Sequence, residues 1–162
     1  MTTTVTDPSQ APLEFSDQQV LPEWIDFNGH MNVAYYVMAF DLGVDGLTSY
    51  LDIGPEGIEA RGTSTFTLEM HTNYLQELHL DDPIRLTCQL LDYDSKRVHF
   101  FFNMYHTEED YLAATCEQLL LHVNLEERRS SPFPQSAVSK LETLMLLHRQ
   151  LPRPEKAGRS IG

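Results

Sequence analysis

The hydrophobic period of this chain changes once, and that change restricts its fold more than any motif does. Between Val33 and Leu51 the apolar positions Val33, Tyr36, Val37, Phe40, Val44, Leu47 and Leu51 recur every three or four residues, the stripe of a helix lying on a core. From Phe66 onward the period is two. Phe66, Leu68 and Met70 alternate with Thr65, Thr67, Glu69 and His71; Ile84, Leu86, Cys88 and Leu90 repeat the pattern, as do Val98, Phe100, Phe102 and Met104. A last extended run spans Tyr111 to Val123. The connections Asp92-Tyr93-Asp94-Ser95 and Thr107 to Asp110 are short and polar, so the strands predict an antiparallel meander. Leu13 to Val20 reads as a shorter strand ahead of the helix. Asn32 is placed to cap the helix, Gly54-Pro55 to end it, and Gly43 and Gly46 to let it approach a neighbouring surface. Ser136 to Leu151, with Val138, Leu141, Leu144, Met145 and His148 on one side, predicts a final amphipathic helix. This order is α+β: a long helix and a C-terminal helix against one large antiparallel sheet, not a doubly wound fold.

Length and charge narrow the partners. The 162 residues predict one domain over 13–151, with a polar leader at 1–12 and a loose tail at 152–162, where PRPEKAGRSIG has the composition of an unfolded end. Eleven Lys plus Arg against 24 Asp plus Glu leave a formal charge of −13, which opposes binding to nucleic acid or to an anionic membrane surface. Cys88 and Cys116 form no Cys-x-x-Cys pair, and the N-terminal residues have neither the basic start nor the apolar run of a targeting signal. The expectation is a cytoplasmic protein with reduced thiols. The seven histidines lack metal-ligand spacing, so neither a metal nor another cofactor is expected.

The densest group of polar and special residues, Glu23 to Asn32, stands immediately before the long helix. A helix N-terminus presents unpaired N–H groups and partial positive charge, which suit a developing oxyanion. Asp26 beside that terminus, with Gly29 allowing close backbone approach, is the minimum equipment for hydrolysing an activated acyl group. A purely structural reading uses the same residues: Asp26 closes an Asx turn, Asn32 caps the helix and His30 packs. Spacing does not separate the two.

The string Asp26-Phe27-Asn28-Gly29-His30-Met31-Asn32, with Ala34-Tyr35-Tyr36 and Phe40-Asp41 after it, resembles the signature of hotdog-fold acyl-CoA thioesterases of the 4-hydroxybenzoyl-CoA thioesterase superfamily. His71 to Leu78 is similar to their strand entering the meander, and the match runs roughly from Leu13 to Asn124. The resemblance implies a hotdog fold, a long central helix wrapped by an antiparallel sheet of five or six strands. By it, Asp26 is the catalytic carboxylate, as nucleophile or as general base. The Val33 backbone N–H polarises the thioester carbonyl, Asn32 fixes the helix terminus and His30 orients the loop or contacts the thioester region. It also implies a homodimer or homotetramer with sites between subunits. The longer string Pro22 to Tyr36, with Arg128-Arg129-Ser130-Ser131-Pro132-Phe133-Pro134, is similar to the betainyl-CoA thioesterases of bacterial carnitine degradation, some of them fused to a dehydrogenase. With no Gly-x-Gly-x-x-Gly here, the stand-alone form is expected. For a cationic acyl group, Trp24, Tyr36 and Tyr74 are candidate aromatic contacts, against the reading that they are core. Arg128 and Arg129 are the candidates for the CoA phosphates, ahead of Lys96 and Arg97. The alternatives are another short-chain or aromatic acyl-CoA as substrate, or a non-catalytic module that binds acyl thioesters.

Overall fold

The computed structural model describes residues 3–162, apart from the Asp17 side chain; residues 1 and 2 of the expected leader lie outside the described residues. The strands are β1 (Leu13–Gln19), β2 (Thr63–Tyr74), β3 (Pro83–Tyr93), β4 (Arg97–His106), β5 (Leu112–Asn124) and the two-residue β6 (Arg129–Ser130). They form one antiparallel sheet in the order β1-β3-β4-β5-β2, with β6 paired to β5. The helices are α1 (Val33–Tyr50), α2 (Pro55–Arg61) and α3 (Gln135–His148). The α+β class, the meander and the terminal helix follow the periodicity.

The 18-residue α1 packs against β1, β3 and β4 of the sheet. A Cβ on Gly43 would stand 2.7 Å from Leu86 Cδ1 and 3.2 Å from the Phe102 ring, so this helix turn touches β3 and β4 with no room for a side chain. Gly46 makes the corresponding approach to Phe15 of β1. Phe102 is the centre of the core: fully buried, it lies 5.7 Å from Phe15, 6.1 Å from Phe40 and 5.4 Å from Phe100, ring centre to ring centre. Burying such side chains contributes about 1.5–3 kcal/mol each.

Three local expectations change. Val33 begins α1 but is 58% exposed, since burial on this helix starts only at Tyr36. Gly54-Pro55 does not end α1: the helix stops at Tyr50, Asp52 takes a positive φ of 62°, and Gly54-Pro55 starts α2, where proline's missing N–H costs nothing. Phe66, Leu68 and Met70 do not share a face. A bulge between Thr67 and Glu69 puts Phe66 opposite Leu121 and Met70 opposite Gln118, so the extra residue flips the alternation. The segments read from composition as loose are docked. Thr3 is buried and Val5 bridges to Phe15; at the other end Gln89 Nε2 donates to Pro152 O, and the Gly158 N–H donates to Glu117 Oε2 at 2.7 Å.

Pairing of β1 with β3 reaches only Leu13–Cys88, which leaves the Leu90 N–H on that edge of β3 without a strand partner. His148 of α3 fills the gap, Nδ1 accepting from Leu90 N–H at 2.8 Å. Burial disfavours the charged imidazole and holds His148 down to about pKa 4, which keeps it in the neutral form whose Nδ1 can accept. A histidine with a depressed folded-state pKa contributes stability that is complete above its unfolded value, ~6.5, and is lost as pH falls toward about 4. Denaturant midpoints should therefore fall between pH 6.5 and 4, and His148→Gln should flatten that part of the slope.

Candidate active site

A short 3-10 turn, Pro22–Trp24, leads into the loop before α1, and the loop is closed by its own backbone. Ile25 and Met31 form an isolated antiparallel bridge. Within it the Asp26 N–H donates to His30 O at 3.2 Å and the Gly29 N–H donates to Asp26 O at 3.0 Å. Gly29 has φ +83°, a conformation that L side chains rarely adopt. Asp26 Oδ1 accepts from the Asn28 N–H at 2.8 Å, an Asx turn. Two longer ties hold the loop to the body: the Asn32 N–H donates to Trp24 O, and the Met31 N–H donates to Leu78 O at 2.7 Å.

Asn32 joins this loop to the helix. Its Oδ1 accepts from the Ala34 N–H at 3.0 Å, the expected cap, and its Nδ2 donates to Asp26 Oδ2 at 3.2 Å. The structural and the catalytic readings thus use one side chain: the amide orientation that caps α1 also aims a donor at the carboxylate. The Tyr35 N–H is taken by Asn32 O at 2.9 Å. The Val33 N–H has no acceptor among the described residues, and it stands at the positive end of α1.

The three aromatic candidates separate into two groups. Trp24 is buried and stacks on Tyr35, with ring centres 5.6 Å apart and planes at 12°. Tyr36 meets Tyr74 edge-on at 5.3 Å and 90°. The buried Tyr36 hydroxyl accepts from the Leu78 N–H at 3.1 Å and donates to Gln76 O at 3.3 Å; burial pushes the phenol up to about 12. It clamps the segment whose Leu78 carbonyl holds Met31. Tyr74 is about half exposed, and its hydroxyl donates to Val33 O at 3.4 Å. His30 packs against the same segment, with Nε2 3.9 Å from Glu77 Oε1. Glu77 belongs to the site's rim, although nothing in its spacing marked it.

The structure does not bring Arg128 and Arg129 to this site within one chain. They follow Asn124, which pairs with Thr63, whereas Ala114 at the other end of the ladder pairs with Tyr74. Eleven residue steps along β2 separate the two ends, on the order of 35 Å. Lys96 and Arg97 are engaged locally, with Ser130 and Asp94. Cys116 is buried, its Sγ 3.4 Å from both Thr72 Oγ1 and Gln118 Nε2; burial pushes the thiol up, which suits packing rather than attack.

A carboxylate held through both oxygens, beside a helix N-terminus with a free N–H, can act on a carbonyl carbon while the N–H takes the developing oxyanion. The helix-on-sheet architecture is that of the hotdog-fold thioesterases. The chain belongs to the thioesterase-like superfamily, which matches residues 20–141, and it is an acyl-CoA thioesterase. It is 40% identical over 143 residues to the betainyl-CoA thioesterase of Pseudomonas aeruginosa, covering 88% of this chain and 90% of that protein. It is 34% identical over 154 residues to the L-carnitine dehydrogenase/betainyl-CoA thioesterase of Rhizobium meliloti, covering 95% of this chain but 31% of that longer protein. Among solved structures, a hypothetical protein of Staphylococcus aureus in complex with CoA superimposes with a TM-score of 0.86 at 32% identity, covering 94% of this chain and 97% of that one. A putative thioesterase of Pseudomonas putida gives 0.77 at 31% identity, covering 100% and 97%.

Proposed function

We propose that this protein hydrolyses betainyl-CoA to betaine and CoA. The observation that carries this reading is the 40% identity, over nearly the whole of both chains, to the Pseudomonas aeruginosa enzyme. Asp26 acts on the thioester carbonyl directly or through a water from which it takes a proton. The Val33 N–H stabilises the oxyanion, Asn32 aims the carboxylate and His30 braces the loop. The C–S bond breaks, the CoA thiolate leaves and is protonated, and one water is consumed per turnover. Single turnover in oxygen-18 water identifies the nucleophilic route when water opens the anhydride at the Asp26 carboxyl carbon: label then enters Asp26 itself, which general-base hydrolysis never produces.

The same reading makes the enzyme at least a dimer, working in the cytoplasm. In its support, β2 is the terminal strand of the sheet, and half-exposed Phe66 and Leu68 stand on it. Antiparallel pairing of two copies of β2 would bring the Thr63 end of one beside the Tyr74 end of the other. Arg128 and Arg129 of the partner subunit would then stand near the head of α1, where the CoA phosphates of the bound thioester need them. Among the described residues no helix is long and apolar enough to cross a membrane.

One experiment tests this function: free thiol released from a panel of short-chain, aromatic and betainyl-CoA esters, with the mass of the same sample measured by sedimentation. Betainyl-CoA is expected to give the highest kcat/KM, ten-fold or more above the others (an order-of-magnitude expectation from cation recognition), from a species of twice 18.6 kDa or a multiple of it. Binding without thiol release would mark a non-catalytic module. A monomer at micromolar concentration would remove the two-chain site.

A further inference from the structure

Resting on the proposed hydrolysis of betainyl-CoA, we propose that Tyr74 and Glu77, rather than Trp24 or Tyr36, select the cationic acyl group. The quaternary nitrogen of a betainyl thioester lies two bonds, ~2.5 Å, from the carbonyl carbon. With the carbonyl oxygen on the Val33 N–H, the trimethylammonium group must therefore rest against whatever lines the first turn of α1. That group has no N–H to donate, so it is recognised by an aromatic face and by negative potential.

Tyr74 meets the first requirement. Its hydroxyl is 3.4 Å from Val33 O, which sets the ring beside that turn; the residue is 47% exposed, and the edge-on contact with Tyr36 fixes its orientation. Trp24 and Tyr36 do not meet it. Trp24 is 5% exposed and stacked on Tyr35, and Tyr36 is 4% exposed with its hydroxyl bonded to two backbone groups. Their work is to hold the loop and Tyr74.

Glu77 meets the second. No Lys or Arg pairs with its exposed carboxylate among the described residues; its basic neighbours are His30 and His79, at 3.9 and 3.7 Å, beyond hydrogen-bond reach. Its backbone is held rigidly: the Tyr111 hydroxyl donates to Glu77 O at 2.8 Å, and Tyr36 holds the residues on either side. An exposed carboxylate on a held backbone, with no Lys or Arg against it among the described residues and beside His30 of the Asp26 loop, favours a cation there over a neutral acyl group of equal volume.

The test is the ratio of kcat/KM for betainyl-CoA to that for its neutral isostere, 3,3-dimethylbutanoyl-CoA. Because both substrates meet the same enzyme, the ratio is insensitive to partial misfolding of a variant. Tyr74→Phe, which keeps the ring, should retain the wild-type ratio; Tyr74→Leu should lower it about ten-fold. Glu77→Gln should lower it roughly three- to ten-fold, Glu77→Lys further, and added salt should bring the wild type toward the Glu77→Gln value. Ratios within two-fold of wild type in both Tyr74→Leu and Glu77→Gln would overturn the assignment while leaving betainyl-CoA as the substrate. A wild-type enzyme without preference for betainyl-CoA would overturn that reading and this assignment with it.

Discussion

Asp26→Asn is expected to lower kcat by ~10²–10⁴-fold with little change in KM, because it removes the group that attacks or deprotonates water and leaves the oxyanion donor in place. The substitution is nearly isosteric, and its structural cost follows from the two contacts of the carboxylate. The amide oxygen can still accept from the Asn28 N–H, but its NH2 now faces the Asn32 Nδ2 across what was a 3.2 Å hydrogen bond. Loss of one such bond costs about 1 kcal/mol, or ~2–4 °C in Tm for a chain of this length. Thiol release, circular dichroism and a melting curve on one preparation separate the chemical loss from the structural one. A kcat within three-fold of wild type would remove Asp26 from the reaction.

Phe102→Ala is expected to have the largest effect on stability. The ring is fully buried, packs on Phe15, Phe40 and Phe100, and lies under the closest approach of α1 to the sheet at Gly43. Gly43 has no side chain with which to fill the vacated space, so the cavity should persist. Truncations of this kind cost ~3–5 kcal/mol, which corresponds to a fall in Tm of roughly 6–20 °C. Thermal or urea unfolding measures it. Activity at a temperature where the variant remains folded should change far less than in Asp26→Asn, since no hydrogen bond of the loop involves β4.

Much of the site was legible because it is local. Asp26, Asn28, Gly29 and Asn32 lie within seven residues, and their turn, cap and bridge follow from side-chain chemistry that acts over two to six positions. Tyr36 shows where that reach ends. Its aromatic character suggested a contact with substrate, but its partners are backbone groups of Gln76 and Leu78, 40 and 42 residues away. Glu77 enters the site by the same long connection, and no spacing rule could have drawn it there. Arg128 and Arg129 illustrate the reverse: they carry the charge a CoA phosphate needs, yet β2 separates them from Asp26 within one chain.

By itself the sequence determined the two long helices, the long strands and their order, though not the short α2 and β6, because a period of 3.6 or of two is a property of neighbouring residues and survives in almost any packing. It also determined the loop at the head of α1, where donors and acceptors find one another within a few bonds. Only the tertiary structure decided the rest: the bulge that turns Phe66 away from the face of Met70, the start of α2 at Gly54-Pro55, the docking of both ends, and the division of the aromatic residues into braces and an open ring. Each of these depends on which backbone groups and surfaces remain unpaired once the sheet has formed. That is settled by contacts across the whole chain, so no local pattern records it.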